Sequence, residues 1–174
     1  MTAIDIDVSE LLLCARYGEM DELKEELARL VAENAPLDAG AVLARGNDAG
    51  NTALHMASAN GHLDIVQFLL EKLAGVHVNA ANEQGNTPMH WAALNGHVEI
   101  VTALIAAGAD LTLTNKAGKS PLIEAQDASH ENVAVELLKH MDPDMDDDTE
   151  DVQESESSAA SSASAAAASS SGSA

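Results

Sequence analysis

The chain has 174 residues, enough for one domain with an appendage, and its 29 acidic residues against 8 basic ones set a net charge of -21. A field of that sign disfavours nucleic acid and anionic lipid as direct ligands and favours basic partners, with encounter that is faster at low salt. The single cysteine, Cys14, excludes an internal disulfide, the acids between Met1 and Asp7 argue against a cleaved leader, and no apolar run approaches a membrane span, so a soluble intracellular protein is expected.

A first helix is predicted from Val8 to Tyr17, with Ser9 as its N-cap and Leu11, Leu12, Cys14 and Ala15 as its apolar residues. Gly18 breaks it. A second helix, Glu19 to Glu33, puts Met20, Leu23, Leu27, Leu30 and Val31 on one buried stripe. Residues 34–49 contain Pro36, Gly40 and Gly46 and read as an irregular connecting loop.

Next comes Gly50-Asn51-Thr52-Ala53-Leu54-His55-Met56-Ala57, which predicts a short helix from Thr52 to Ala59. Asn60-Gly61 turns the chain into a longer helix, Leu63 to Leu73, with Ile65, Val66, Leu69 and Leu70 apolar. Gly85-Asn86-Thr87-Pro88-Met89-His90-Trp91-Ala92 repeats the phrase 35 residues later, now with Pro at the first helical position, where its missing N–H costs nothing. The second copy continues through Asn95-Gly96-His97 to a stripe of Ile100, Val101, Leu104 and Ile105. A period in the mid-thirties is the mark of a stacked-repeat protein. Setting Gly18 beside Gly61 makes the first helix pair a degenerate unit, and Gly118-Lys119-Ser120-Pro121 opens a fourth whose turn, Ala128-Ser129-His130, lacks the glycine. Atypical terminal units are what a capped stack needs.

From Asp142 onward there is no Lys or Arg. Nine of the acids lie there, followed by a Ser/Ala tract, a composition too poor in apolar residues to fold. The other twenty acids face only eight bases in the repeat region, so the acidity is not confined to the tail.

Thr52-Ala53-Leu54-His55-x-Ala and Thr87-Pro88-Met89-His90-x-Ala resemble the ankyrin signature, with Asn-Gly-His and Gly-Ala-Asp at the expected offsets. The resemblance covers residues 8–140. It implies an all-α solenoid of about four helix-pair repeats with short loop fingers, in units of about 8–45, 46–80, 81–115 and 116–141, followed by a disordered acidic tail over 142–174. Physically, the Thr hydroxyl can cap the first turn while the His three residues on bonds back to it and across to the next loop.

Catalysis finds no support. His55 and His90 would have to converge with carboxylates or Cys to hold a metal or act as acid and base, and the family resemblance makes their position structural. Cys14 stands where the other units have Ala57 and Ala92, and no pattern sets a base beside it. There is no phosphate-cradling loop, dyad or triad, so no enzyme, cofactor or metal is expected.

Binding remains. The inner helices should present Leu13, Met56, Trp91 and Glu124 in one column and Arg16, Ala59, Leu94 and Asp127 in a second, with Asp48, Asn51, Glu83, Gln84 and Asn86 on the fingers. Trp91, the only tryptophan, beside Met56 has the composition of an interface anchor, or else belongs to the inter-repeat core. Asp48, Glu83, Glu124 and Asp127 could pair with Lys or Arg on a partner laid across the groove.

A finer resemblance is to the fungal family of dedicated chaperones for the third small-subunit ribosomal protein. It rests on Thr-Ala-Leu-His-Met-Ala followed by Thr-x-x-His-Trp-Ala, on a poorly formed first repeat with Cys14 before Arg16-x-Gly18, and on an acidic tail. That resemblance implies a monomer holding a basic small-subunit ribosomal protein soluble and accompanying it from cytoplasm to nucleus. The alternative is a generic ankyrin adaptor in signalling or proteasome assembly.

Overall fold

The computed structural model describes residues 6–73 and 77–141. The acidic and Ser/Ala segments singled out above lie outside the described residues. Within them the chain forms nine helices: α1 Ser9–Tyr17, α2 Met20–Glu33, α3 Ala39–Leu43, α4 Ala53–Asn60, α5 Leu63–Leu73, α6 Pro88–Leu94, α7 Val98–Ala106, α8 Pro121–Asp127 and α9 Glu131–Met141. No strand occurs among the described residues, only an isolated bridge between Gly46 and Thr52 at the base of the first finger. The all-α expectation holds.

Two rows of helices stack. The short inner helices pack in the order α1, α4, α6, α8, and among the longer outer ones α5 packs on α7 and α7 on α9. Leu11, Leu54 and Met89 from the inner row and Ile65, Leu69, Ile100, Leu104 and Leu137 from the outer row fill one continuous core, each at most 1 % exposed. The three- and four-residue spacing of these side chains is what gives each outer helix a single buried stripe.

The turns explain the repeated Asn-Gly-His phrase. Gly61 sits at φ 83°, a left-handed conformation that side chains resist, and a Cβ there would come within 2.9 Å of the His97 imidazole of the next unit. His97 donates its Nε2–H to the Ala59 carbonyl at 3.2 Å, and His62 does the same to Arg16 at 3.0 Å. Gly18 and Gly61 thus make room for His62 and His97, the histidines that tie the following repeat to each turn. Ser129 replaces the glycine in the last unit, at φ 62°. Among the described residues no repeat follows it.

Two expectations need correction. Ser9 is not the cap of α1: Val8 occupies the cap position, Ser9 is the first helical residue, and its N–H is taken by the Asp7 carboxylate at 2.9 Å. Segment 34–49 is not an irregular loop throughout. Asp38 caps α3 by accepting from Ala41 N at 2.8 Å, and α3 packs against both α2 and α5 with Val42 and Leu43 fully buried. The extra residues wedge the degenerate first unit against the regular second one. Two aliphatic side chains with no helical period around them gave no sequence signal.

Candidate functional site

The predicted site residues lie on the inner-helix face and on the finger row. Asn47, Asn82 and Asn115 open the three fingers, each three residues before a glycine. Each side-chain oxygen accepts two backbone N–H groups of its own finger: Ala49 and Asn51 for Asn47, Gln84 and Asn86 for Asn82, Ala117 and Lys119 for Asn115, at 2.9–3.1 Å. The side-chain amides then run from finger to finger. Asn82 donates to Asn51 Oδ1 and Asn115 to Asn86 Oδ1, both at 2.8 Å, while Glu83 N donates to the Ala49 carbonyl and Lys116 N to that of Gln84, both at 2.9 Å. The fingers form a hydrogen-bonded ladder. Its close spacing also requires Gly85, where a Cβ would meet the Lys116 nitrogen at 3.0 Å.

The Thr-x-x-His phrase locks the inner helices to this ladder. Thr52 and His55 form a reciprocal capping box, as do Thr87 and His90. His55 Nδ1 accepts from Thr52 N at 3.2 Å and lies 2.9 Å from its hydroxyl; His90 and Thr87 repeat both distances. The Nε2–H of His55 donates to the Asn86 carbonyl at 3.0 Å, and that of His90 to Lys119 at 3.1 Å. Both ring nitrogens are therefore committed, in the neutral tautomer, which leaves neither histidine free to bind a metal or carry a proton for catalysis. Burial pushes the His55 imidazole down to about 4, and His90 is lowered for the same reason.

Of the predicted binding residues, Asn51 and Asn86 belong to the ladder through their side-chain oxygens. Asp48, Glu83 and Gln84 are exposed at the finger tips, and the two carboxylates belong to no ion pair among the described residues. Glu124 and Asp127 are not bare acids. Lys119 Nζ lies 2.9 Å from Asp127 and 3.8 Å from Glu124, and Glu124 Oε1 also accepts from Asn115 at 2.8 Å. The side-chain hydrogen bond and charge of Asp127 hold the Lys119 ammonium above its ordinary value.

Met56, Ala59 and Trp91 do come together. With Arg16, Asn51, His55 and Asn60 they line a cavity of about 220 Å³ on the inner-helix face. Trp91 is half-buried and forms a wall of this cavity, and its Nε1–H is buried without an acceptor among the described residues. Leu94, like Leu13 and Ile123 on other inner helices, is exposed. Sequence reasoning missed Asn47, Asn82, Asn115 and Lys119. The Asn-x-x-Gly spacing at 47, 82 and 115 was the available signal for the first three.

No helix among the described residues is long and apolar enough to cross a membrane. Comparison with known proteins gives matches to two fungal relatives. Residues of this chain are 37% identical over 154 positions to the ankyrin repeat-containing protein YAR1 of Saccharomyces cerevisiae, covering 83% of this chain and 74% of that protein. They are 43% identical over 128 positions to an ankyrin repeat-containing protein of Schizosaccharomyces pombe, covering 74% and 82%. Among solved structures, the crystal structure of the yeast ribosomal protein Rps3 in complex with its chaperone Yar1 contains a chain that matches with a TM-score of 0.69 at 33% identity, over 79% of this chain and 95% of that one. The family described as ankyrin repeats (3 copies) matches residues 9–115 and 72–151. With its helix pairs, capping boxes and finger ladder in register with that match, the chain belongs to the ankyrin-repeat family.

Proposed function

We propose that this protein is a dedicated chaperone of a basic small-subunit ribosomal protein of the Rps3 type, holding it soluble before its assembly into the small-subunit precursor. The observation that carries the reading is the similarity to Yar1, which extends over most of both chains and reaches a structure in which Yar1 is bound to Rps3. The electrostatics agree. A net charge of -21 attracts a basic client at a distance, and the exposed Asp48 and Glu83 stand at the finger tips where they can pair with Lys or Arg. Met56, Trp91, Ala59 and Leu94 supply the apolar contact, and Gln84 adds a polar rim. Asn86, Glu124 and Asp127 contribute mainly by shaping that surface, since their side chains are already bonded within the protein, whereas Asn51, whose oxygen is bonded to Asn82, keeps its amide N–H groups for the partner. The acidic residues past Met141 serve as a tethered polyanion that shields the client from RNA. The protein works as a monomer with its client, in the cytoplasm and then the nucleus, without catalysis.

Affinity purification from the native cell tests this reading. Recovery of the small-subunit ribosomal protein supports it; recovery of a kinase, cyclin or proteasomal ATPase subunit in its place supports the adaptor alternative.

A further inference from the structure

The cavity on the inner-helix face has a polarity opposite to that of the chain as a whole. Arg16 lines it and belongs to no ion pair among the described residues, although acids outnumber bases 29 to 8. Asn51 has its oxygen bonded to Asn82 and its amide nitrogen uncommitted. Trp91 Nε1–H also lacks an acceptor among the described residues, but it is buried and does not open into the cavity. His55 has both nitrogens in use, and Asn60 has donated its amide to the Met56 carbonyl at 2.8 Å, leaving its oxygen as the one spare side-chain acceptor. Donors predominate around walls made by Met56, Ala59 and Trp91.

A volume near 220 Å³ suits one side chain rather than a free small-molecule ligand, whose pockets begin at about 300 Å³. The guanidinium group offers a planar fork of donors that matches a carboxylate bidentately. We propose that this cavity is a specificity pocket for an Asp or Glu side chain, flanked by an apolar residue, on the partner segment; this deepens the client reading above and rests on it. At the other end of the inner row, Lys119 faces two acids, Glu124 and Asp127, so the sign there is reversed.

The sign of one charge change decides the matter. A face that only attracts basic segments binds more tightly when Arg16 becomes acidic, whereas the pocket proposed here binds more weakly. The full chain and its Arg16→Gln, Arg16→Lys and Arg16→Glu variants are titrated with Saccharomyces cerevisiae Rps3, with unchanged melting curves confirming that the variants fold. The expected losses are about tenfold or more for Gln, larger for Glu and smaller for Lys. Equal or tighter binding by Arg16→Glu overturns the pocket while leaving the client reading intact. In parallel, the full chain is used to select from a displayed random peptide library. Enrichment of an acid beside a large apolar residue, abolished by Arg16→Gln, supports the pocket even if Rps3 itself does not bind. Selected peptides without an acid, or selection indifferent to Arg16, overturn it.

Discussion

Acidification from pH 7 to pH 5 should weaken the fold through its buried, neutral histidines. His55 is 1 % exposed, and its pKa falls from 6.5 to about 4 because burial penalises the charged ring. Protonation would also place a hydrogen on Nδ1, which faces the Thr52 N–H it now accepts from at 3.2 Å. Because the folded-state value is the lower one, the unfolded chain binds more protons between the two values. The stabilisation is fully present above pH 6.5 and is lost progressively down to pH 4. The whole shift corresponds to about 3 kcal/mol, of which about 2 kcal/mol is lost by pH 5. His90, lowered for the same reason, adds to the loss. The depressed carboxylates Asp7 and Asp110 titrate below this window. Reduced self-repulsion among the 29 acids acts in the opposite direction, so the comparison requires a variant. Urea unfolding is followed by fluorescence of Trp91, the only tryptophan, at both pH values in the wild type and in His55→Gln. The variant should be less stable at pH 7 yet lose about 2 kcal/mol less than the wild type on going to pH 5. Equal losses in the two proteins would refute the buried-histidine argument.

Three substitutions probe the remaining framework by the same unfolding measurement. Ser58 is fully buried in α4 with no partner for its hydroxyl among the described residues, so Ser58→Ala should stabilise by about 1 kcal/mol; a loss of stability would show that the hydroxyl has a bonded role. Ser129→Gly should also stabilise, by about 1 kcal/mol, because it relieves a left-handed backbone at φ 62°. Asn82→Ala removes an acceptor from two finger N–H groups and the donor to Asn51, and should cost about 3 kcal/mol; a change under about 1 kcal/mol would mean that the ladder is dispensable.

The repeat phrase makes much of this fold readable from the residues alone. Thr52, His55, Gly61 and His62 each do a job that their chemistry dictates, and the helix from Leu63 to Leu73 follows from its apolar spacing alone. Helix α3 was invisible because its stability comes from α2 and α5, on either side of it, rather than from its own five residues. The site divided along the same line. Met56, Ala59 and Trp91 were legible as a patch, since register alone puts them on one face. The internal pairing of Glu124 and Asp127 was not, because it depends on where Lys119 sits just before the Ser120 cap. The ladder roles of Asn51 and Asn86 likewise depend on contacts between units 29 to 31 residues apart.

The most direct test of the account is a calorimetric titration of the full chain with Rps3 at increasing salt, in the wild type and in Trp91→Ala. Binding should be one-to-one, weaken steeply as salt rises, and fall by about tenfold or more in the Trp91 variant. Absence of binding, or an affinity indifferent to both salt and Trp91, would contradict it.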